Sequence, residues 1–213
     1  MNSQLFIANG SKTIGSTFNF QLSTFNIILG SQSPRRKELL AGLDLPFTTK
    51  VIPGLEETYP DTLKGEEIPV YLAEQKADAY TLADNDLLIT ADTIVWLDGK
   101  VYGKPKDEAE ACEMLRSLSG KTHEVITGVC LRTNKKNVSF ASTTKVTFAQ
   151  LTEEEIDYYI RKYRPMDKAG SYGVQEWIGY IGVEHIEGSY FNVMGLPIQR
   201  LYTALKQFDI NIF

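Results

Sequence analysis

Residues 87–97 read Leu-Leu-Ile-Thr-Ala-Asp-Thr-Ile-Val-Trp-Leu, an apolar run around a single carboxylate, Asp92. Apolar residues on both sides of Asp92 predict a strand that is buried on both faces and therefore lies in the centre of a sheet. The Asp98-Gly99 pair that follows is typical of a two-residue hairpin turn. The segment thus predicts a central strand that turns back into an antiparallel neighbour.

Strand and helix patterns alternate along the rest of the chain. Further strands are predicted over residues 25–29, 47–52, 122–131 and 138–148. Helices are predicted from Pro34 to about Gly42, over residues 69–82, from Asp107 to Gly120, from Thr152 to about Tyr163 and from Pro197 to about Lys206. Segment 165–195 contains six glycines and carries no predicted helix or strand. The interleaving indicates an α/β fold, and the hairpin-like pairs indicate a mixed rather than a purely parallel sheet.

Two of the predicted helices begin at a capping-box pattern. Asp107 is followed three residues later by Glu110, and Thr152 is followed three residues later by Glu155. In such a box each side chain accepts a hydrogen bond from the backbone N–H of the other residue. The pattern therefore fixes where both helices start.

The length of the chain, 213 residues, is that of one domain or of one domain with two lobes. Residues 1–24 are rich in Ser, Thr, Asn and Gly and show no clear period, so they predict an irregular N-terminal extension. Residues 25–213 are expected to form a single domain.

Composition excludes several classes of protein. The 22 Lys and Arg against 27 Asp and Glu give a net charge of −5, which argues against a general nucleic-acid binder. The two cysteines and two histidines lack the spacing of a zinc site, and the cysteines are expected to be reduced. No apolar run is long enough for a membrane helix, and no signal-peptide pattern is present. We therefore expect a cytoplasmic protein that binds neither membranes nor nucleic acid.

The sequence Ser-Gln-Ser-Pro-Arg-Arg at residues 31–36 directly follows a predicted strand and is a candidate phosphate site. Ser33 is the expected N-cap of the helix. Arg35 and Arg36 lie in the first turn, where they oppose the helix dipole. A bound anion would resolve that conflict, with Ser31 and backbone amides as further donors. Because successive helix residues point about 100° apart, the two arginines are expected to face different groups. A capped helix with solvated arginines is the alternative.

Asp92 is the candidate proton acceptor. A carboxylate within a central strand is costly unless a cation or hydrogen-bond donors satisfy it. A metal ion is a natural partner and hydrolysis a natural use, and the alternative is a structural Asp bonded to a neighbouring loop. Asp92 and Thr93 should face opposite sides of a regular strand, so contact of both with one ligand would require a bulge or a strand end there.

Acidic and basic residues elsewhere could complete a site for a metal and a triphosphate. Glu56 or Glu57, if it lies beside Asp92, would supply a second carboxylate for Mg²⁺, although a solvated acidic loop is the alternative. Lys76 shares a predicted helix face with apolar residues, and Lys104 lies in a rigid Gly-Lys-Pro turn. Both lysines could reach a triphosphate, and ordinary surface lysines are the alternative.

The sequence Asp-Lys-Ala-Gly-Ser-Tyr-Gly-Val-Gln at residues 167–175 is a candidate base-recognition loop. Its glycines, Gly170 and Gly173, allow a tight loop that exposes its backbone. Gln175 offers an amide donor and an amide acceptor, which suit the edge of a nucleobase. A plain turn is the alternative.

Taken together and in this order, these stretches resemble the Maf family of nucleoside triphosphate pyrophosphatases. The matching residues are 31–36, 56–57, 73–76, 91–93, 103–105, 118–120, 167–175 and 195–197. The resemblance spans about residues 26–206 and, through the loop at 167–175, is to the branch that acts on dTTP and UTP. Two positions depart from the family pattern, Gly30 where Ala is usual and Glu176 where Gly is common.

The resemblance implies a mixed α/β fold, like that of Maf and inosine triphosphatase proteins, with flanking helices and two lobes around a cleft. It implies hydrolysis of a nucleoside triphosphate to the monophosphate and pyrophosphate in the cytoplasm, as a house-cleaning enzyme of nucleotide metabolism that often forms a homodimer. CTP and modified pyrimidine nucleotides are further candidate substrates. The divalent metal would be Mg²⁺ or Mn²⁺.

By resemblance, Asp92 is the proton acceptor, and Arg35, Thr93 and Gln175 tune substrate choice. The other matching pocket positions are Ser31, Ser33, Arg36, Lys76 and Lys104, and Glu56 with Asp92 is the expected metal pair. Three alternatives to this hydrolase remain. One is a non-catalytic nucleotide-binding regulator of cell division, and the second is a purine-directed pyrophosphatase of related fold. The third, a nucleic-acid-binding module, would need a basic stripe that the sequence lacks.

Overall fold

A computed structural model of the protein describes residues 25–208 and 210. The predicted N-terminal extension, residues 1–24, lies outside the described residues. Within the described part of the chain, no helix combines the length and the apolar character that a membrane crossing requires.

Strands and helices alternate along the chain. The strands are β1 (Asn26–Leu29), β2 (Phe47–Thr49), β3 (Asp86–Leu97), β4 (Lys100–Tyr102), β5 (Thr122–Arg132), β6 (Asn137–Phe148) and β7 (Val183–Glu187). The α-helices are α1 (Pro34–Ala41), α2 (Glu67–Asp78), α3 (Glu108–Leu118), α4 (Glu153–Tyr163), α5 (Trp177–Gly182), α6 (Tyr190–Val193) and α7 (Ile198–Leu205). Two short 3-10 helices span Ala169–Ser171 and Lys206–Phe208.

The strands of the described chain form one seven-stranded mixed sheet, in the order β2-β1-β3-β5-β6-β7, with β4 beside β3. β1 pairs in parallel with β2 and with β3. The pairs β3–β4, β3–β5, β5–β6 and β6–β7 are antiparallel. β3 is buried along most of its length. The α/β class, the mixed sheet, the central strand and the hairpin after it are therefore confirmed.

The sheet has an opening along one edge of β3. β1 pairs with the first part of β3 and stops at Ile89, whereas β4 pairs with the last part, from Val95 onward. Between them, no described strand covers this edge of β3 at residues 90–94, although β5 pairs along the other edge without interruption. The opening therefore lies beside Asp92.

Two hydrophobic clusters lie on the two sides of this opening, as expected for two lobes around a cleft. The first joins α1, α7 and β1 to the first half of β3 through buried Leu29, Leu40, Ile89 and Leu201. The second joins α3 and α4 to the second half of β3 through buried Val95, Leu115, Leu118, Tyr159 and Ile160. Because β3 contributes to both clusters, it holds the two lobes in a fixed relation.

Helix α2 lies directly on the sheet at Gly128. A Cβ atom at Gly128 would lie 2.2 Å from the backbone carbonyl of Pro69, so the helix backbone rests on β5 where the strand has no side chain. Gly128 is the residue opposite Asp92 in the β3–β5 pair. Lys76 follows Pro69 by about two helical turns, and this contact therefore directs Lys76 towards Asp92.

The capping-box predictions are met to different degrees. Thr152 and Glu155 form both hydrogen bonds of the box at the start of α4. The side chain of Asp107 accepts a hydrogen bond from the backbone N–H of Glu110, as predicted. The Glu110 carboxylate, however, accepts its bond from the backbone N–H of Lys106, one residue earlier. The box at the start of α3 is therefore only half formed.

Segment 165–195 contains regular elements that the sequence pattern does not predict, namely α5, β7 and α6. β7 forms an edge of the sheet beside β6. Asn192 in α6 is fully buried, and its Nδ2 donates to the Val125 carbonyl and to Thr144 Oγ1, each at 3.0 Å. These elements are short, and β7 and α6 are held by contacts with β5 and β6, so they leave little local periodicity to detect.

Candidate active site

A cavity of about 480 Å³ occupies the opening beside β3 and extends between the two lobes. Its walls come from the start of α1, the middle of β3, the loop at residues 51–57, α2, the turn at Lys104, the loop at residues 167–175 and the chain after α6. Nine of the ten residues predicted for the site line it: Ser31, Ser33, Arg35, Arg36, Lys76, Asp92, Thr93, Lys104 and Gln175. The tenth, Glu56, is exposed and is not among the lining residues, whereas its neighbour Glu57 is.

The start of α1, the candidate phosphate site, lines one part of the cavity. Ser33 is the N-cap, and its hydroxyl accepts a hydrogen bond from the backbone N–H of Arg36 at 3.4 Å. Pro34 occupies the first helical position. The hydroxyl of Ser31 accepts from the backbone N–H of Ser33 at 3.2 Å. Ser31, Ser33 and Pro34 line the cavity, so the start of this helix faces it.

Arg36 is fixed across the uncovered edge of β3. Its Nη1 donates to the Ala91 carbonyl at 2.8 Å, its Nη2 to Thr93 Oγ1 at 3.0 Å and its Nε to the Gly195 carbonyl at 2.8 Å. Burial lowers the pKa of Arg36, and the negative charge of Asp92 opposes that shift. The guanidinium thus supplies a fixed positive charge and holds the chain after α6 against β3.

Arg35 points elsewhere, as the helical spacing predicts. Its Nη1 donates to Asp167 Oδ2 at 2.9 Å, and its side chain is 20% exposed. Burial alone would raise the pKa of Asp167, but hydrogen bonds and charge from Lys168 and Arg35 lower it. This ion pair connects the start of α1 to the loop at residues 167–175.

Two carboxylates in the cavity wall converge on one ammonium group. Lys76 Nζ lies 2.6 Å from Asp92 Oδ1 and 3.0 Å from Glu57 Oε1. Lys104 Nζ lies 3.9 Å from Glu57 Oε2. Burial would raise the pKa of Glu57, but the charge and hydrogen bond of Lys76, with Lys104 and Arg36, lower it. The Glu57 carboxylate is therefore ionised near neutral pH.

This pair of carboxylates fits a hard divalent cation. The ammonium group of Lys76 bridges oxygens from two separate chain segments, so a cation already occupies the space between them. Mg²⁺ is usually held by one or two carboxylates, with substrate phosphates and water as its other ligands. No cluster of three or more His, Cys, Asp or Glu that could hold a metal ion is found in the described ranges.

Asp92 and Thr93 both line the cavity, and β3 has no bulge at these residues. β3 stays in register with β5 through both residues. Asp92 faces α2 and bonds Lys76, whereas Thr93 points to the other face and bonds Arg36. Both line the cavity because it lies at the edge of the strand, where both faces are accessible.

The opposite end of the cavity carries an unsatisfied amide. Gln175 Oε1 is buried and has no hydrogen-bond partner in the structure. A buried acceptor of this kind costs about 1–3 kcal/mol unless a ligand or water satisfies it. Tyr172 and Gly173 line the same region. This end is therefore suited to a ligand group that donates a hydrogen bond.

Several residues of the site were not singled out by the sequence. Thr127 Oγ1 lies 2.9 Å from Thr93 Oγ1 and donates to the carbonyl of Asn192 at 3.2 Å, which connects Thr93 to the interior. The Gly195 carbonyl that accepts from Arg36 lies in a predicted motif, but backbone acceptors carry no sequence signal. Lys168 also lines the cavity, and its place beside Asp167 in the candidate loop was the available signal.

Known proteins resemble this chain over most of its length. The sequence matches the family described as Maf-like protein over residues 26–208. It is 66% identical over 188 residues to the dTTP/UTP pyrophosphatase of Phocaeicola vulgatus, covering 87% of this chain and 97% of the relative. It is 56% identical over 191 residues to the dTTP/UTP pyrophosphatase of Porphyromonas gingivalis (strain W83), covering 88% of this chain and 96% of the relative.

Solved structures support the fold alone, because their sequence identity is low. A HAM1 protein from Coxiella burnetii aligns with a TM-score of 0.51 at 17% identity, covering 86% of this chain and 99% of that protein. The Ham1 protein of Staphylococcus aureus aligns with a TM-score of 0.50 at 15% identity, covering 87% and 100%. The family match spans nearly all of the described residues, and the predicted resemblance is confirmed: the chain belongs to the Maf-like protein family.

Proposed function

We propose that this protein is a nucleoside triphosphate pyrophosphatase that converts dTTP and UTP to the monophosphate and pyrophosphate. One observation carries the proposal: Asp92 lies in the same cavity as a cationic helix start and an unsatisfied base-reading amide. The relatives named for this activity match nearly the whole described chain. CTP and modified pyrimidine nucleotides are the next candidates.

The triphosphate is bound by the start of α1 and by two lysines. Backbone amides at the helix start, with the hydroxyls of Ser31 and Ser33, donate hydrogen bonds to phosphate oxygens. Lys76 and Lys104 neutralise the remaining charge, and both already lie beside carboxylates in the cavity. Arg36 adds a positive charge at the edge of β3. Its hydrogen bonds to protein acceptors hold this charge in place.

A divalent cation, Mg²⁺ or Mn²⁺, would be held by Asp92 and a glutamate of the 51–57 loop. The geometry favours Glu57 for this role over Glu56, because Glu57 shares the Lys76 ammonium with Asp92. When bound, the cation would withdraw charge from the phosphate oxygens and lower the pKa of a coordinated water.

Asp92 acts as the proton acceptor. Its carboxylate takes a proton from a water molecule as that water attacks the α-phosphorus. The bond from the α-phosphorus to the bridging oxygen breaks, and pyrophosphate leaves. Lys76, within hydrogen-bond distance of Asp92, orients the carboxylate before the substrate arrives.

Base recognition takes place at Gln175. Its free Oε1 accepts a hydrogen bond from the N3–H group that uracil and thymine share, which cytosine lacks. Thr93 and Arg35 shape the passage between the base and phosphate ends. We also expect the protein to act in the cytoplasm and to form a homodimer.

Pyrophosphate release from dTTP, UTP, CTP, ATP and GTP, with Mg²⁺, Mn²⁺ or a chelator, tests the proposal.

Asp92→Asn should lower kcat for UTP about 10²–10⁴-fold and leave the fold intact by circular dichroism. Asp157→Asn, an exposed change on α4, is the matched control and should retain activity. Near-normal turnover by Asp92→Asn would refute the role of Asp92. Nucleotide binding without pyrophosphate release would favour the non-catalytic regulator, and a preference for purines the purine-directed enzyme.

A further inference from the structure

Behind the base end of the cavity lies a charged network that the proposed reaction does not use. Glu176 is not a lining residue, yet its carboxylate contacts two residues that support the wall. Its Oε1 lies 3.1 Å from Lys168 Nζ. Its Oε2 accepts a hydrogen bond from the hydroxyl of Tyr159, which is itself fully buried.

Lys168 depends on Glu176 for its neutralisation. The Lys168 side chain is 8% exposed, and an ammonium group with so little solvent needs nearby anions. Its other anion is Asp167, at 2.7 Å, but Asp167 is also bound by Arg35 at 2.9 Å. Two cations thus share one aspartate, and Glu176 supplies the second negative charge.

Tyr159 connects Glu176 to the backbone of the loop. The Tyr159 hydroxyl accepts a hydrogen bond from the backbone N–H of Gly173 at 3.0 Å while it donates to Glu176. Burial, followed by the hydrogen bond to Glu176, raises the pKa of Tyr159, so the hydroxyl stays protonated and remains a donor. A Cβ at Gly173 would lie 2.8 Å from the Glu176 carboxyl carbon, so a larger residue there would displace this carboxylate from its present position.

These contacts fix both ends of the turn that presents Gln175. The backbone N–H of Glu176 donates to the Gly173 carbonyl at 2.9 Å, which closes a four-residue turn with Gln175 in third place. Tyr159 accepts a hydrogen bond from Gly173, the first residue of the turn. The side chain of Glu176, the last residue, contacts both Lys168 and Tyr159. The turn therefore has little freedom to reorient the Gln175 amide.

We propose that Glu176 is a positioning residue for base recognition, which fixes Lys168 and the 173–176 turn and so holds Gln175 towards the nucleobase. This inference rests on the proposed function, because it assumes that a pyrimidine occupies the Gln175 end. Glu176 acts through its neighbours and does not touch the substrate.

The test separates the base end from the phosphate end by using the two reaction products. Titration calorimetry of UMP probes both ends, whereas pyrophosphate probes the phosphate end only. Glu176→Gln should weaken UMP binding about tenfold, the effect of losing about one well-placed hydrogen bond, and change pyrophosphate binding less than about twofold. The KM for UTP should rise by a similar factor while kcat stays within about twofold of wild type, because the Asp92 end is unchanged.

Tyr159→Phe is the second variant, because it removes only the hydroxyl and keeps the ring that stacks on Tyr163. It should show the same selective loss of UMP binding, and it decides the question if Glu176→Gln does not fold by circular dichroism. Glu184→Gln, an exposed change on β7, is the matched control and should bind both products normally. Unchanged UMP binding in both variants, or equal losses for UMP and pyrophosphate, would overturn the inference. A wild-type protein that binds UMP but hydrolyses no nucleotide would instead overturn the proposed function.

Discussion

Asp92 lies directly opposite Gly128 in the antiparallel pair of β3 and β5, and Gly128 is the point at which α2 contacts the sheet. The missing side chain at Gly128 lets the α2 backbone approach the sheet. That approach brings Lys76 to 2.6 Å from Asp92 Oδ1. The same close contact therefore serves the packing of the fold and the geometry of the candidate site.

Gly128→Ala is expected to destabilise the protein by about 3 kcal/mol, at the upper end of ordinary overpacking costs. The new Cβ would lie 2.2 Å from backbone atoms of Pro69, and a helix backbone cannot rotate away as a side chain can. Urea denaturation measures the change. Gly103→Ala is the control and should shift the unfolding free energy by less than about 0.5 kcal/mol, since nothing lies within 4 Å of its Cβ. Equal stability of the two variants would contradict this account of α2.

The sequence predicts the elements that carry a strong local pattern. The apolar run around Asp92 identified the central strand, and the Ser33-Pro34 cap identified the start of α1. Each signal depends on residues a few positions apart, so it is visible without the fold. The opening beside β3 is different, because it depends on where β1 stops and β4 begins along a third strand. That information lies in the register of distant segments, which a local sequence pattern does not carry.

Arg36→Lys is expected to lower the unfolding free energy by about 2 kcal/mol, whereas Arg35→Lys should change it by less than about 0.5 kcal/mol. Arg36 donates to the Ala91 and Gly195 carbonyls and to the hydroxyls of Thr93 and, more distantly, Ser31. These acceptors surround its planar guanidinium, and a single ammonium group cannot reach all of them. Arg35 makes one partly exposed ion pair with Asp167, a geometry that Lys can approximate. Urea denaturation of both variants under the same conditions makes the comparison. If both variants lost a similar amount of unfolding free energy, Arg36 would not be holding the edge of β3.

Loop residues mark the limit of what the sequence can specify. Glu56 and Glu57 are adjacent in a loop without helical or strand periodicity, so no pattern says which side chain turns inward. The structure brings Glu57 to Lys76, and the sequence alone favoured Glu56 by resemblance. The role of Glu176 was equally hidden, because its partners Tyr159 and Lys168 lie on other segments. In both cases the missing information is tertiary.

The buried His123 should make stability fall as the pH is lowered from about 6.5 to about 4. Burial lowers the pKa of His123 from 6.5 to about 4, and its Nε2 lies 2.7 Å from the hydroxyl of Tyr172, a residue that lines the cavity. Between these values the unfolded chain binds a proton that the folded chain does not, so stability decreases with falling pH. Below about 4 both states bind it and this contribution levels off. Integrated over the interval, the loss is about 3 kcal/mol.

His123→Phe removes this titration and keeps an aromatic ring against Phe148. The variant loses the contact with Tyr172, so it should be less stable than wild type at pH 7. Only the wild type loses stability through protonation of His123. The difference in unfolding free energy between the two proteins should therefore shrink by about 3 kcal/mol as the pH falls to 4. Urea denaturation at pH 7, 5.5 and 4.5 follows that gap, and all other titrating groups cancel in the difference. A gap that stays constant with pH would mean that His123 is protonated equally in the folded and unfolded chains.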